Sequence, residues 1–263
     1  MKNELEVAVE AAREAGKILS KYFSNSEYWV KEKSHANPVT KADYEADSFL
    51  KSFLLDHFPN YGWLSEETKD SRERLTKKYT WIVDPLDGTK EFISGLPEFV
   101  ISIGLVEDGK PILGVIFNPV RNELFFSELG KIPKLNDREI SVTNAESISN
   151  AVIMASRTEI ANGLWEPYRK LFKKFVHCGS VAYKLANIAA GNADIMVSLR
   201  PKHEWDICAG HFLIESAGGV MKRIDGENIK YNSEILPRVD KGIIAGGPFI
   251  VSNALKVFKK DEK

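Results

Sequence analysis

Cysteine is almost absent: Cys178 and Cys208 are the only two, with no C-x-x-C and no histidine cluster near either. This excludes a disulfide framework and a cysteine/histidine zinc site, and it fits a reducing compartment. Long hydrophobic runs are also missing. No segment approaches the roughly 18 apolar residues of a membrane span. The start, Met1-Lys2-Asn3-Glu4-Leu5-Glu6, lacks the continuous apolar stretch of a signal peptide. The cytoplasm is therefore the expected compartment. Nor is there an excess of charge of either sign. The net charge is -1, so neither nucleic acid nor an anionic membrane has electrostatic purchase. The lysines at the end (Lys256, Lys259, Lys260, Lys263) read as a solvated tail. What is present is ordinary for a globular chain: 263 residues, 43% apolar and 28% charged. That length holds one large domain or two lobes.

The chemistry concentrates in Trp81-Ile82-Val83-Asp84-Pro85-Leu86-Asp87-Gly88-Thr89-Lys90-Glu91-Phe92. An apolar strand runs into two carboxylates three residues apart, then a glycine turn and a helix start. Carboxylates at the end of a buried strand are costly unless a cation lies between them. A helix start beside them suits a phosphate, held by the Gly88 and Thr89 amides.

Residues 4–23 carry Leu5, Ala8, Ala12, Ala15, Leu19 and Tyr22 at helical spacing. Pro38 makes the chain extended, and Thr40 with Asp43 forms a T-x-x-D capping box that opens a second helix. His35 reads as a surface-loop residue. A short strand at 61–64 ends in Ser65-Glu66-Glu67-Thr68. Beyond Phe92, residues 99–106, 111–117 and 123–127 form an antiparallel meander with a hairpin turn at Glu107-Asp108-Gly109-Lys110. From about 146 onward, short strands alternate with helices. Strands are expected at 152–155, 175–177, 193–197, 220–224 and 243–246. Helices are expected at 164–174, 181–190, 205–217 and 249–258. The division is thus an α+β lobe, 1–145, and an α/β lobe, 146–263, forming one catalytic unit.

Asp43, Glu66, Asp84, Asp87 and Asp206 all stand at element junctions. Taken singly, Asp43 reads as a helix cap and Asp206 as a first-turn acid that complements the helix dipole. Together they form an oxygen-only donor set suited to Mg2+ or Mn2+ rather than zinc. Several carboxylates sharing two ions are what a two-metal phosphoryl hydrolase needs.

Four segments together resemble the inositol monophosphatase superfamily of Mg2+-dependent, lithium-sensitive phosphatases. Asp84-Pro85-Leu86-Asp87-Gly88-Thr89 is similar to its D-P-[IL]-D-G-T box. Trp205-Asp206-Ile207-Cys208-Ala209-Gly210 is similar to W-D-x-x-A-G. Ser65-Glu66-Glu67-Thr68 is similar to G-E-E-[ST], with serine for glycine, and Pro38-Val39-Thr40-Lys41-Ala42-Asp43 to P-V-T-x-x-D. The resemblance implies an αβαβα sandwich of the inositol monophosphatase/fructose-1,6-bisphosphatase type, in the α+β and α/β layered class. It implies two or three Mg2+ ions, with Mn2+ as a substitute. The ligands would be Glu66, Asp84, the Leu86 carbonyl, Asp87 and Asp206, with Asp43 and Thr89 orienting water. Glu67 would assist at a third ion or at the water. The substrate is a small phosphate ester, bound by Gly88, Thr89, Ser180, Lys184 and Asp206. A homodimer is left open.

Lys90-Glu91-Phe92 and Glu204-Trp205-Asp206 resemble the branch that hydrolyses 3′-phosphoadenosine 5′-phosphate. Lys184 resembles that branch's substrate lysine. Glu159, where that branch often has histidine, and the Ser180-to-Lys184 spacing depart from it. The expectation is a bisphosphate nucleotidase, with inositol-1-phosphate phosphatase as the alternative. A haloacid-dehalogenase phosphatase needs an Asp in D-x-D, which the spacing of Asp84 and Asp87 does not provide.

Overall fold

The computed structural model describes residues 2–25, 28–34, 37–234 and 237–258. His35, Lys259, Lys260 and Lys263 lie outside them.

In chain order, helix α1 (Glu4–Asn25) precedes a hairpin of β1 (Val30–Ser34) and β2 (Asn37–Thr40), then α2 (Lys41–His57). Strands β3 (Gly62–Ser65) and β4 (Tyr79–Asp87) follow, with the short α3 (Thr89–Ile93) after them. The meander is β5 (Val100–Glu107), β6 (Lys110–Asn118) and β7 (Glu123–Glu128), closed by β8 (Lys134–Leu135) and β9 (Arg138–Glu139). The second half is β10 (Val152–Ser156), α4 (Arg157–Ala161), β11 (Lys174–Cys178), α5 (Val181–Ala189), β12 (Ile195–Ser198) and β13 (Lys202–His203). It ends with α6 (Glu204–Ser216), β14 (Val220–Arg223), β15 (Arg238–Val239), β16 (Ile243–Gly246) and α7 (Pro248–Phe258).

Strands β3 to β9 form a seven-stranded sheet in sequential order, parallel only between β3 and β4. The second sheet runs β11-β10-β12-β16-β14, parallel over its first three strands. Alternation along the strands divides the core. Trp81, Val83, Ile101 and Val115 face α1 and α2. Ile82, Val100 and Ile116 face the opposite way, onto a layer of α5 and α6 that also covers Met154, Met196 and Ala245 of the second sheet. The far side of that sheet packs on α7 through Ile250, Val251 and Ala254. The layers are therefore αβαβα, as the resemblance implies.

Two opposed glycines set how closely the middle layer lies. Gly104 and Gly114 face each other across β5 and β6. A Cβ on Gly104 would stand 2.7 Å from Cys208 Sγ, and one on Gly114 would stand 2.5 Å from the Ala209 carbonyl. Helix α6 thus rests on bare backbone.

The helix expected over 164–174 is not formed. A single 3₁₀ turn spans Glu166–Tyr168, and α4 lies earlier, at Arg157–Ala161. Gly163 takes φ 74° and Pro167 follows, so the helix has no continuous backbone. The helical spacing of Leu164, Tyr168, Leu171 and Phe172 instead reflects an aromatic cluster. Trp165 meets Tyr168, Phe172, Phe175 and Phe258 edge-on. The hairpin of β1 and β2 was not foreseen, because its residues are mostly polar. No described helix is long and apolar enough to cross a membrane. Both cysteines are free and buried.

Candidate active site

The sequence around Asp84 writes its own distortion. Strand β4 pairs Asp84 with Ser102 and Asp87 with Val100, so two residues, Pro85 and Leu86, oppose one. Proline cannot donate to a sheet ladder, and an irregularity of this kind is where a strand tolerates it. The bulge re-aims the two aspartates. The Leu86 amide donates to Asp84 Oδ1 at 3.0 Å, fixing that carboxylate against its own turn. Gly88 then turns with φ 103°, and a Cβ there would stand 2.7 Å from the Glu98 carbonyl. No L side chain suits both demands.

Three segments bring acids to one point. Glu66 follows β3, Asp84 lies in the β4 bulge and Asp206 is in the first turn of α6. One carboxylate oxygen from each lies within 4.8 Å of the others. Burial pushes Asp84 well up from the usual carboxylate range, aided by Glu66, Asp87 and Asp206. Burial, with Asp87 and Glu66, pushes Asp206 up to about 8. Clustered carboxylates that resist ionising together are a cation site in search of its charge. With oxygen donors only, the set fits a hard divalent ion.

Asp206 also holds its own helix: Oδ2 accepts from the His203 amide at 2.9 Å. Asp43 does the same for α2, where Oδ2 accepts from the Thr40 amide at 2.8 Å and hydroxyl at 2.6 Å. Its other oxygen accepts from the Thr89 hydroxyl at 3.1 Å, and Thr89 Oγ1 also lies 3.2 Å from the Leu86 carbonyl. The cap residue and the hydroxyl after Gly88 are therefore one unit. Burial pushes Asp43 up to about 6, against the hydrogen bonds from Thr40 and Thr89.

Asp87 stands apart from the three-acid point. Its Oδ2 accepts from the Ser180 hydroxyl and the Ala182 amide, each at 2.6 Å, so it caps α5 from the first sheet. Burial raises its pKa too. Lys184 is almost wholly buried, and its ammonium is turned inward. It donates to the carbonyls of Cys178 at 3.3 Å, Ser180 at 3.0 Å and Gly179. Those bonds use all three donors of a lysine, so the side chain clamps the turn before α5. The sequence could not reveal that reach.

The residues read as nucleotidase pointers are likewise engaged. Phe92 is core, against Phe23, Tyr28 and Phe99. Glu91 abuts Gly179, where a Cβ would collide with its side chain. Buried Glu204 accepts from the Asn232 and Ser233 amides at 2.6 and 3.0 Å. Glu159, a departure from that branch, accepts from Trp165 Nε1 at 3.2 Å and from the Ser198 hydroxyl at 2.7 Å.

Lys33, on β1, was missed. Its ammonium bridges Glu66 Oε1 at 2.7 Å and Glu67 Oε1 at 2.6 Å. Burial nonetheless pushes Glu67 up to about 7, with Lys33 pulling the other way. The acids open into a cavity of about 450 Å3 that Gly88, Thr89, Ser180, Lys184, Arg200 and Lys202 also line. A larger surface depression of about 660 Å3 runs along α1 over Phe117 and Pro119. Its one acid, Glu14, is paired with Lys17, so it holds no cluster of metal donors.

Oxygen donors around one point, with a hydroxyl–carboxylate pair beside them, can activate water against a phosphate ester. The class so defined is that of the metal-dependent phosphatases. The family model described as the inositol monophosphatase family matches residues 1–256, and the chain belongs to that family. It is 34% identical over 229 residues to inositol monophosphatase 3 of Solanum lycopersicum, covering 82% of this chain and 84% of that protein. It is 31% identical to the Nus factor SuhB of Escherichia coli strain K12, covering 96% and 98%. Among solved structures, an IMPase of Thermotoga maritima superposes with a TM-score of 0.86 at 27% identity, covering 98% of each chain.

Proposed function

We propose that the chain hydrolyses the phosphate monoester of a small polyol, inositol 1-phosphate, by single displacement with Mg2+ and without a phosphoenzyme. The observation that carries the hydrolytic reading is the Asp43–Thr89 pair beside the Glu66/Asp84/Asp206 point. The names of relatives such as inositol monophosphatase 3 and the inositol monophosphatase of Mesembryanthemum crystallinum support the polyol.

Glu66, Asp84 and Asp206 would hold a first ion, and Asp87 with the Leu86 carbonyl a second, with Mn2+ able to replace Mg2+. Bound there, the ions supply Lewis-acid activation of water and neutralise developing charge. Thr89 Oγ1 would orient the attacking water and relay its proton to Asp43 Oδ1; as the new P–O bond forms the ester P–O bond breaks, and the leaving inositol oxygen takes a proton from solvent water. A carboxylate pushed up to about 6 is a competent base near neutral pH. The Gly88 and Thr89 amides hold the transferring phosphate, and Ser180 stiffens Asp87. Lys184 shapes the pocket through its turn. Residues 1–145 and 146–263 act as lobes of one catalytic unit, because Asp206 completes a donor set begun at Glu66. We place the enzyme in the cytoplasm.

A second reading is the bisphosphate nucleotide 3′-phosphoadenosine 5′-phosphate. Arg200 and Lys202 favour it, as two cations on the cavity wall that suit a second phosphate. The deciding experiment compares kcat/KM for the two substrates at saturating Mg2+. We expect inositol 1-phosphate to be preferred by roughly tenfold or more. A preference for the bisphosphate nucleotide would replace the first reading with the second.

A further inference from the structure

A buried acid on α2, Asp47, is left unused by this chemistry. Asp47 lies one helical turn beyond Asp43 and is 5% exposed. Its Oδ1 accepts from the Ser65 hydroxyl and its Oδ2 from the Thr68 hydroxyl. Those hydroxyls bracket Glu66 and Glu67. Ser65 Oγ in turn accepts from the Glu67 amide at 3.5 Å. Strand β3 ends at Ser65, so past that point the ladder no longer holds the chain. Among the described residues the Glu66 amide has a long, 3.4 Å bond to the Val83 carbonyl.

A buried carboxylate is an expensive way to tether a loop, since apolar packing would do so without desolvating a charge. What the carboxylate adds is direction. Its two oxygens grip both ends of a four-residue turn, and hydrogen bonds to an ionised group are the strong ones. Lys33 pulls on the tips of Glu66 and Glu67 from the other side, so the backbone beneath them needs a fixed seat.

We propose that Asp47 is a positioning residue of the metal centre. It seats the Ser65–Thr68 turn so that Glu66 presents an oxygen to the point shared with Asp84 and Asp206. The inference rests on Glu66 being a metal ligand. Helix α2 then serves the site twice from one face, steering the water through Asp43 and the ion through Asp47.

The test is Mg2+ binding by titration calorimetry on metal-stripped protein, read beside the Mg2+-induced rise in Tm. Asp47→Ala is expected to weaken Mg2+ binding by about tenfold or more, as loss of an outer partner of a metal ligand does. Its kcat at saturating Mg2+ should fall far less. Asp47→Asn, which keeps one of the two acceptor oxygens, should recover part of the affinity. Binding within about twofold of the unmodified protein in folded Asp47→Ala overturns the inference, as does a loss confined to kcat. Glu66→Gln, run alongside, separates the two claims. If it leaves Mg2+ affinity unchanged, the ligand reading beneath the inference fails. If it abolishes binding while Asp47→Ala does not weaken it, only the positioning role fails. Should Asp47→Ala not fold, Thr68→Val removes one of the two hydroxyls, and unchanged Mg2+ affinity in that variant overturns the proposal equally.

Discussion

Asp84 carries two burdens at once, and they can be separated by substitution. Its carboxylate is buried among three other acids, which raises its pKa and strains the metal-free fold. Asp84→Asn removes that charge while keeping the shape. We expect Mg2+-dependent hydrolysis to fall by roughly a thousandfold, while the metal-free Tm rises. An unchanged kcat, or a lower Tm, would contradict the role drawn here. Lys184 gives the complementary case. Because its ammonium holds three carbonyls, Lys184→Ala should lower Tm and depress activity on every substrate alike. A loss restricted to doubly phosphorylated substrates would return the lysine to the substrate itself. Singly, Asp43 and Asp206 read as helix-end acids; only their joint placement with Glu66 and Asp84 at element junctions, and the resemblance of the four segments, marked them as a set. Asp47 was not legible in the sequence. It stands mid-helix among Tyr44, Glu45 and Ser48, where a charged residue reads as solvated.

The elements matter here through their ends. Strand β4 ends in a bulge and a glycine turn, and α2 begins with a residue that both caps the helix and meets Thr89. Thr40→Ala removes the cap, which costs about 1 kcal/mol. It also frees one side of Asp43, so kcat should fall with little change in Mg2+ affinity. Gly88→Ala should cost more, roughly 1–3 kcal/mol, since φ 103° is closed to alanine and the Glu98 carbonyl blocks its Cβ. A chemical denaturation series would rank the two, and the opposite order would contradict a closed φ at Gly88. Strands and helices whose apolar period matched their burial were readable in advance. The 164–174 segment was not, because an aromatic cluster and a helical stripe share the same spacing. The left-handed Gly163 and Pro167 distinguish them.

The two sheets share a single middle layer, so the acids from both halves are held in one body of packing. Their titration should appear in the stability of the whole chain. In the unfolded state a carboxylate titrates near 4. Folding pushes Asp43 up to about 6 and Asp206 up to about 8. Between those values the folded state keeps protons that the unfolded chain has released, so stability without metal falls as pH rises from about 4 to about 8. Mg2+ held at Asp206 would take the place of the proton there. The metal-free Tm should drop between about pH 5 and pH 8, and saturating Mg2+ should raise Tm more at the higher pH. A metal-free Tm that climbs over this interval would contradict the burial of these acids.

The facing pair Gly104 and Gly114 has a further consequence. Since α6 rests on that pair and carries Asp206, the distance of Asp206 from Asp84, on the same sheet as the glycines, is set by two hydrogen atoms beneath the helix. A single methyl group added there would lift Asp206 like a shim under a bearing. Chance mutation can therefore silence this catalyst without altering one of its acids.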